Sequence, residues 1–238
     1  MLSADSLPNS FGLLFDLDGT LTETNPLHYR AWELVLAEVG YDLTPTIYEQ
    51  VISGRTNAQI VVDLLPSYSV AEGAALSDRK EALFRQLAPD LEPVLGLPLL
   101  LKALEPCHLP MAVVTNAPKD NAIHMLTALG LRERFATVVL AEEAPPGKPD
   151  PAPYRLGLER LNLAASGAIA FEDSPPGVRS AVAAGIFTVG LSTTHAPEEL
   201  TQAGASLVIE NFTDRRLWQL LRSRLGDEAI PLSAASTV

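Results

Sequence analysis

An apolar run near the start of the chain ends abruptly in two acidic residues. Residues 11–20 read FGLLFDLDGT, so Asp16 and Asp18 are spaced i, i+2 directly after a short hydrophobic stretch. A run this short and apolar is typical of a parallel strand buried on both faces. Gly19 then lets the chain turn through backbone angles that other residues disfavour. The pattern therefore predicts both acids at the carboxyl end of a central strand, where open α/β sheets bind ligands.

The spacing of the two acids indicates chemistry rather than packing. Two carboxylates held this close repel each other unless a cation or a proton lies between them, so the arrangement costs stability. The alternative is a solvated turn, because Asp and Gly are common turn formers. Motifs elsewhere in the chain distinguish a reactive site from a solvated turn.

Strand and helix alternate in the second half of the chain. Strands are predicted at 111–115, 136–140, 168–172, 186–191 and 207–209, and helices at 118–129, 151–161, 176–184 and 214–224. This alternation predicts a parallel sheet with helices on both faces. The predicted fold class is therefore α/β, with a Rossmann-like sheet core.

The region between the first strand and residue 91 has no strand pattern. Helices are predicted there at 26–39, 44–52, 56–65 and 70–87. The simplest organisation is a helical block inserted after the first strand. Residues 22–93 would form this α-helical cap, and residues 1–21 and 94–238 would form the core.

Composition narrows the possible partners. The 238 residues carry a net charge of −12, which argues against nucleic acid because phosphate backbones require a basic surface. The chain contains no apolar stretch long enough to span a membrane, and its first ten residues lack a secretion signal. One cysteine, Cys107, cannot form an intramolecular disulfide and fits a reducing compartment. We therefore predict a cytoplasmic protein without a membrane or nucleic-acid partner.

Reactive side chains recur where the predicted strands end or helices begin. They are Asp16, Asp18, Thr115, Asn116, Lys148, Glu172 and Asp173. We expect them to meet at one edge of the sheet. Carboxylates suit a hard cation such as Mg²⁺, while a lysine neutralises phosphate or holds a carboxylate ionised. The set fits phosphoryl transfer.

Each motif has a simpler explanation when taken alone. Thr115 and Asn116 could cap a helix, and Lys148 could be a solvated loop lysine. Glu172 and Asp173 could be acids that favour a helix N-terminus. Their shared position after apolar strands favours a common site instead.

The motifs, in their order along the chain, resemble the haloacid dehalogenase superfamily of phosphotransferases. They read DLDGTLTETNPLH, VVTNAP, GKPDP and FEDSPPGVRSAVAAG, within a resemblance that covers about residues 11–218. The chain is similar to the β-phosphoglucomutase-like branch, and within it to plant and cyanobacterial broad-range sugar-phosphate phosphatases. The resemblance implies an α-helical cap, a Mg²⁺ cofactor, a small phosphorylated substrate and a monomer.

The resemblance also implies catalytic roles. Asp16 would be the nucleophile that forms an aspartyl-phosphate, and Asp18 the general acid and then the general base. Lys148 would balance charge on Asp16 and on the transferring group. Thr115 would bind phosphate, with Asn116 beside it.

The implied metal site shares residues with this machinery. Asp16, Asp173 and the backbone carbonyl of Asp18 would hold Mg²⁺. Glu172 would be an outer ligand or an orienting residue. Such oxygen ligands are those that Mg²⁺ prefers.

Candidate specificity residues lie in the predicted cap. His28 either packs on the apolar face of its helix or, as the resemblance implies, lies near Asp18 together with Thr24. Arg55 would place a cation over the pocket, because Arg suits phosphate or hydroxyl recognition. Lys80 matches a region that faces the site in relatives. The remaining histidines are interpreted as structural or surface residues: His108, His124 and His195.

We therefore predict a Mg²⁺-dependent phosphatase of sugar or polyol phosphates. The alternative is β-phosphoglucomutase, in which the phosphoryl group passes to a second sugar hydroxyl. The mutase pattern carries an arginine three residues after the glycine matched by Gly54, and that position is Asn57 here. Dehalogenation is disfavoured because it needs neither an acid at Asp18 nor Mg²⁺. A catalytically silent binding module would be expected to lack Asp16 or Lys148.

Overall fold

Six strands form one parallel sheet within residues 11–52 and 55–226, the part of the chain described by the structure, a computed structural model. The order across the sheet is β3-β2-β1-β4-β5-β6, and every neighbouring pair is parallel. The strands are β1 Gly12–Phe15, β2 Met111–Thr115, β3 Thr137–Leu140, β4 Ala168–Glu172, β5 Phe187–Leu191 and β6 Leu207–Ile209. The predicted Rossmann-like core is confirmed.

Strand β1 lies at the centre of the sheet and is buried along its whole length. Leu13 and Phe15 pack into the hydrophobic cluster on one face, and Leu14 packs into the cluster on the other. Side chains alternate between the faces of a strand, so apolar residues at successive positions require helices on both sides. This explains why the run at 12–15 is uniformly apolar.

Helices flank the sheet and fill the connections between strands. Among the described residues, four lie between β1 and the crossing near residue 93: α1 Asn25–Glu38, α2 Pro45–Ile47, α3 Asn57–Leu64 and α4 Val70–Leu87. The others are α5 Leu97–Leu104, α6 Lys119–Ala128, α7 Ala152–Leu161, α8 Pro175–Ala183, α9 Pro197–Gln202 and α10 Arg215–Leu225. None of the helices among the described residues combines the length and hydropathy needed to cross a bilayer.

The inserted helices have their own hydrophobic cluster. It is centred on buried residues of α1, α3 and α4, including Trp32, Leu36, Ile60 and Leu76. The two chain crossings between this block and the sheet lie side by side. A hydrogen bond joins them, in which Val94 N donates to Leu21 O at 2.9 Å. The insertion therefore leaves and re-enters the core at one place. The exact division at residues 22 and 93 stays a prediction.

Two helices and one irregular segment depart from the sequence prediction. The sequence pattern does not predict α5, although its buried residues Leu97, Leu100, Leu101 and Leu104 follow helical spacing. It does not predict α9 either. The segment 44–52, predicted as one helix, forms the short α2 and then a π-helical turn at Tyr48–Ile52. Uniformly apolar runs such as 97–104 hide their period, which explains the first omission.

Candidate active site

The carboxyl ends of β1, β2 and β4 bring the predicted residues together. Asp16 directly follows β1, and its N–H donates to Phe171 O at 2.9 Å, so it continues the ladder with β4. Thr115 ends β2, and Glu172 ends β4. Asp16 and Thr115 line one cavity of about 290 Å³ between the sheet edge and the inserted helices, and Glu172 is buried behind it.

Lys148 joins the ends of these strands. Its Nζ lies 2.5 Å from Asp16 Oδ1, 2.5 Å from Glu172 Oε1 and 2.8 Å from Val114 O. Burial alone would lower the Lys148 pKa, but the negative charges of Asp16 and Glu172 raise it above its ordinary value. The side chain therefore stays an ammonium in a buried position.

Asn116 supports the loop that carries this lysine. Its Oδ1 accepts from Lys148 N at 3.1 Å, and its Nδ2 donates to Lys148 O at 3.4 Å. Thr115 is buried beside the cavity, and its hydroxyl oxygen accepts from Ala117 N at 2.9 Å. Asn116 thus holds backbone in this structure, and Thr115 caps the turn that leads into α6.

Three buried acids crowd together at the same edge. Asp16, Glu172 and Asp173 each offer a carboxylate oxygen, and the three oxygens all lie within 4.8 Å of one another. Burial, together with the neighbouring acids, raises the Asp16 pKa well above its ordinary value against the opposing charge of Lys148. Burial and Glu172 raise the pKa of Asp173 to about 8. One ammonium, that of Lys148, faces three carboxylates, and a bound divalent cation would supply the remaining positive charge.

Gly19 leaves space for this acid cluster. Its φ is +75°, and a Cβ at this position would clash with the Asp173 carboxylate. Only glycine adopts this positive φ without strain and also leaves room for the carboxylate. The oxygen-only donor set and this cradle fit a hard divalent cation.

Asp18 faces the inserted helices. Thr24 Oγ1 donates to Asp18 Oδ1 at 2.5 Å, and His28 Nε2 lies 3.1 Å from the same oxygen. Burial alone would raise the Asp18 pKa, but the hydrogen bond and charge of His28, with the Thr24 hydroxyl, lower it overall. His28 also stacks on Phe84, with ring centroids 4.1 Å apart. Both interpretations of this histidine therefore hold at once.

A buried ion pair continues from His28 along the cavity wall. Lys80 Nζ lies 2.9 Å from His28 Nδ1 and 2.9 Å from Glu81 Oε1. Asn57 Nδ2 donates to the same Glu81 oxygen at 2.6 Å. The cavity wall formed by the inserted helices is thus polar, and its lysine, Lys80, is already paired with Glu81.

Arg55 lines the cavity as well, but its charge has a partner. Its Nη1 lies 2.5 Å from Asp63 Oδ2, and its side chain is 39% exposed. Gly54, on which the comparison with the mutase pattern depends, lies outside the described residues, as do residues 1–10. Arg55 therefore reaches the predicted place with its guanidinium held by Asp63.

The sequence did not single out three residues that build the site. Tyr154 donates from its hydroxyl to Glu172 Oε1 at 2.8 Å, and Asn121 lies fully buried at the cavity. His195, predicted to be a structural or surface residue, lines the cavity, and its Nδ1 lies 3.1 Å from Asp173 O. Its position just after β5, at the carboxyl edge, was the signal that could have identified it.

The comparisons with known proteins agree with this geometry. The Haloacid dehalogenase-like hydrolase family matches residues 13–191, which run from within β1 to the end of β5 and include the acid cluster. The chain belongs to this family.

Relatives of this haloacid dehalogenase-like hydrolase include a phosphatase and a phosphoglucomutase. Validoxylamine A 7'-phosphate phosphatase of Streptomyces hygroscopicus subsp. limoneus is 33% identical over 213 residues, covering 85% of this chain and 94% of that protein. The β-phosphoglucomutase of Bacillus subtilis is 25% identical over 234 residues, covering 92% and 99%. A CbbY variant of Rhodobacter sphaeroides, in complex with xylulose-1,5-bisphosphate, superposes with a TM-score of 0.75 at 25% identity, covering 85% and 95%.

These relatives place the hydrolase in the β-phosphoglucomutase-like branch of the superfamily. The chain is an enzyme of the phosphoric monoester hydrolase type. The family resemblance found in the sequence is confirmed.

Proposed function

We propose that this hydrolase is a Mg²⁺-dependent phosphatase of sugar and polyol phosphates that works through an aspartyl-phosphate. The observation that carries the proposal is the position of Asp16. One of its carboxylate oxygens is held by Lys148, and the residue borders the cavity beside Glu172 and Asp173. A buried carboxylate with a fixed ammonium partner and an open approach is suited to attack phosphorus.

In the first step, an Asp16 carboxylate oxygen bonds to phosphorus while the bond from phosphorus to the substrate oxygen breaks. Asp18 gives its proton to that leaving oxygen. Asp18 favours the carboxylate form in this structure, but a bound phosphate dianion would raise its pKa because like charges repel. Substrate binding therefore shifts Asp18 toward the protonated form that the acid step needs.

In the second step, a water oxygen attacks phosphorus and Asp18 accepts the water proton. The bond from phosphorus to the Asp16 oxygen breaks, which releases inorganic phosphate and restores the carboxylate. Thr24 and His28 favour the Asp18 anion that this proton transfer uses as its starting state. Lys148 and the Thr115 hydroxyl would hold the phosphoryl oxygens in both steps.

The acid cluster is the proposed metal site. Asp16, Asp173 and the backbone carbonyl of Asp18 would hold Mg²⁺, and Glu172 would orient the site through its contacts with Lys148 and Tyr154. When bound, the cation would supply positive charge that offsets the phosphate and the clustered carboxylates. The elevated pKa values of Asp16 and Asp173 support this assignment.

The cavity wall formed by the inserted helices supports a hydroxyl-rich leaving group with one phosphate. Lys80 and Arg55 are already paired with Glu81 and Asp63. The wall adds carboxamides such as Asn57, which exchange hydrogen bonds with hydroxyls. A second phosphate would therefore have to compete with an existing acid for each of these cations.

The test is hydrolysis of a panel of sugar and polyol monophosphates with and without Mg²⁺. We expect phosphate release that stops when the metal is chelated and returns when Mg²⁺ is restored. A panel without turnover, or turnover indifferent to chelation, would contradict the proposal. As a control, a variant at an exposed acid such as Asp90→Asn should release phosphate and respond to chelation as the wild type does.

The mutase is the second candidate, and the 25% identity to the Bacillus subtilis enzyme favours it. Incubation with β-glucose 1-phosphate and a trace of glucose 1,6-bisphosphate separates the two reactions. Free phosphate supports hydrolysis, whereas glucose 6-phosphate without free phosphate would identify a mutase. Asn57 favours hydrolysis, because it bonds Glu81 instead of presenting a cation to a second phosphate.

Two further expectations remain part of this proposal. A cytoplasmic location rests on the single cysteine of the chain, and a monomeric state rests on the family resemblance. Size-exclusion chromatography with light scattering tests the second.

A further inference from the structure

One buried carboxamide joins the core to the inserted helices. Asn121 of α6 is fully buried, and its Nδ2 donates to Glu81 Oε2 at 2.6 Å. Its Oδ1 accepts from Arg85 Nη1 at 2.7 Å. Glu81 and Arg85 lie one turn apart on α4, so a single core side chain bridges two turns of this helix.

The chemistry of the partners fixes the orientation of the amide. A guanidinium only donates hydrogen bonds and a carboxylate only accepts them. Oδ1 of Asn121 must therefore face Arg85, and Nδ2 must face Glu81. Asparagine is matched to both neighbours at once, whereas aspartate would set one carboxylate against another.

Glu81 also holds two side chains that line the cavity. Its Oε1 accepts from Lys80 Nζ at 2.9 Å and from Asn57 Nδ2 at 2.6 Å. Lys80 Nζ lies 2.9 Å from His28 Nδ1. A continuous series of hydrogen bonds therefore runs from the core helix α6 to the histidine at the cavity.

We propose that Asn121 is a positioning residue, which holds Glu81 and through it the Lys80 ammonium in place when the inserted helices rest on the core. This inference rests on the proposed function, because it assigns the bridge to the side of the cavity that receives the leaving group. Without the Asn121 donor, a buried Glu81 oxygen is left unsatisfied and the carboxylate can turn. Lys80 then loses the fixed partner that sets its position beside His28.

The decisive variant is Asn121→Asp, which keeps the shape and the Arg85 contact but turns the donor into an acceptor. We expect kcat for p-nitrophenyl phosphate to fall about ten- to a hundredfold, the kinetic equivalent of one lost hydrogen bond to a charged group. KM should change less than kcat. The melting temperature should fall as well, and kcat is compared at a temperature where circular dichroism shows each variant folded.

The double variant Asn121→Asp with Glu81→Gln exchanges donor and acceptor across the same bond. The introduced amide can donate to the introduced carboxylate, while its carbonyl still accepts from Lys80 and Asn57. We expect kcat and the melting temperature to recover toward wild type. Gln219→Glu, which adds the same charge at an exposed position within α10, should leave both unchanged.

Two outcomes would overturn the inference. One is a folded Asn121→Asp variant with wild-type kcat, and the other is a double variant no better than the single one. A wild-type enzyme that hydrolyses no phosphate ester would instead overturn the proposed function. In that event the melting temperatures of the same variants still test the bridge, because the recovery on donor–acceptor exchange needs no turnover.

Discussion

The Lys148 ammonium lies 2.5 Å from Oδ1 of Asp16, although 132 residues separate the two along the chain. The same nitrogen lies 2.5 Å from Oε1 of Glu172, which is wholly buried. One lysine therefore compensates two carboxylates that would otherwise be buried without a counterion. The contact couples catalysis to stability, because the charge that steadies the nucleophile also permits its burial.

Replacement of Lys148 should therefore affect both properties. Lys148→Met is expected to lower the free energy of unfolding at neutral pH by about 3–5 kcal/mol, because it leaves buried acids unpaired. Phosphate-ester turnover should be lost as well. Urea denaturation and a colorimetric assay measure the two effects, with Lys102→Met, at an exposed lysine, as control. A Lys148→Met protein as stable as wild type would contradict the proposed pairing.

Asp16→Asn separates chemistry from folding. An amide is a poor nucleophile, so kcat should fall by about a thousandfold or more. Stability should be kept or increased, because the amide replaces a carboxyl group whose pKa is raised by burial and by the neighbouring acids Glu172 and Asp173. Thermal melting and single-turnover kinetics provide the measurements. Substantial turnover by a metal-loaded Asp16→Asn protein would exclude Asp16 as the nucleophile.

Stabilisation by Mg²⁺ should depend on pH. The Asp173 pKa is raised from its ordinary value of 3.8 to about 8, mainly by burial. A raised pKa in the folded state contributes stability that is complete below the ordinary value and is lost as pH rises toward 8. Protons therefore compete with a cation at low pH, and the cation replaces them at high pH.

The increase in melting temperature on addition of Mg²⁺ should thus be larger at about pH 8 than at about pH 5. Asp173→Asn should reduce both the increase and its dependence on pH. Differential scanning fluorimetry over a series of buffers measures the effect, with Ca²⁺ as a comparison cation. An equal increase at both ends of the range would argue against this carboxylate as a metal ligand.

The strand-edge positions of the site could be read from the sequence, whereas the contacts across the cavity could not. Asp16, Thr115 and Glu172 follow apolar runs, and parallel strands carry such residues to one edge. Asn121 and Tyr154 lie inside helices, where an Asn in a first turn or an aromatic residue on an inner face reads as ordinary capping or packing. Their roles depend on which helices and strands pack against each other, and the helical period of a sequence does not indicate these tertiary contacts.

Thr24 provides a test of how the environment of Asp18 is set. Thr24→Val keeps the side-chain volume but removes the hydroxyl that donates to Asp18 Oδ1 at 2.5 Å. We expect kcat to fall about tenfold, because the carboxylate loses a hydrogen bond that holds its position and favours its ionised form. Thr24→Ser, which keeps the hydroxyl, should stay within a few-fold of wild type. Equal losses in both variants would assign the effect to packing.

Removal of the Tyr154 hydroxyl tests the environment of the buried Glu172 carboxylate with the smallest change in side-chain shape. Its hydroxyl donates to Glu172 Oε1 at 2.8 Å, and both side chains are inaccessible to solvent. Tyr154→Phe keeps the ring and should lower the free energy of unfolding by about 1.5–3 kcal/mol, the range for a hydrogen bond to a charged group. Tyr29→Phe is the control, because the hydroxyl of Tyr29 reaches only a neutral carbonyl at 3.4 Å and its loss should matter less. Chemical denaturation of the two variants compares them directly, and equal losses would mean that the Glu172 contact contributes nothing beyond an ordinary tyrosine hydroxyl.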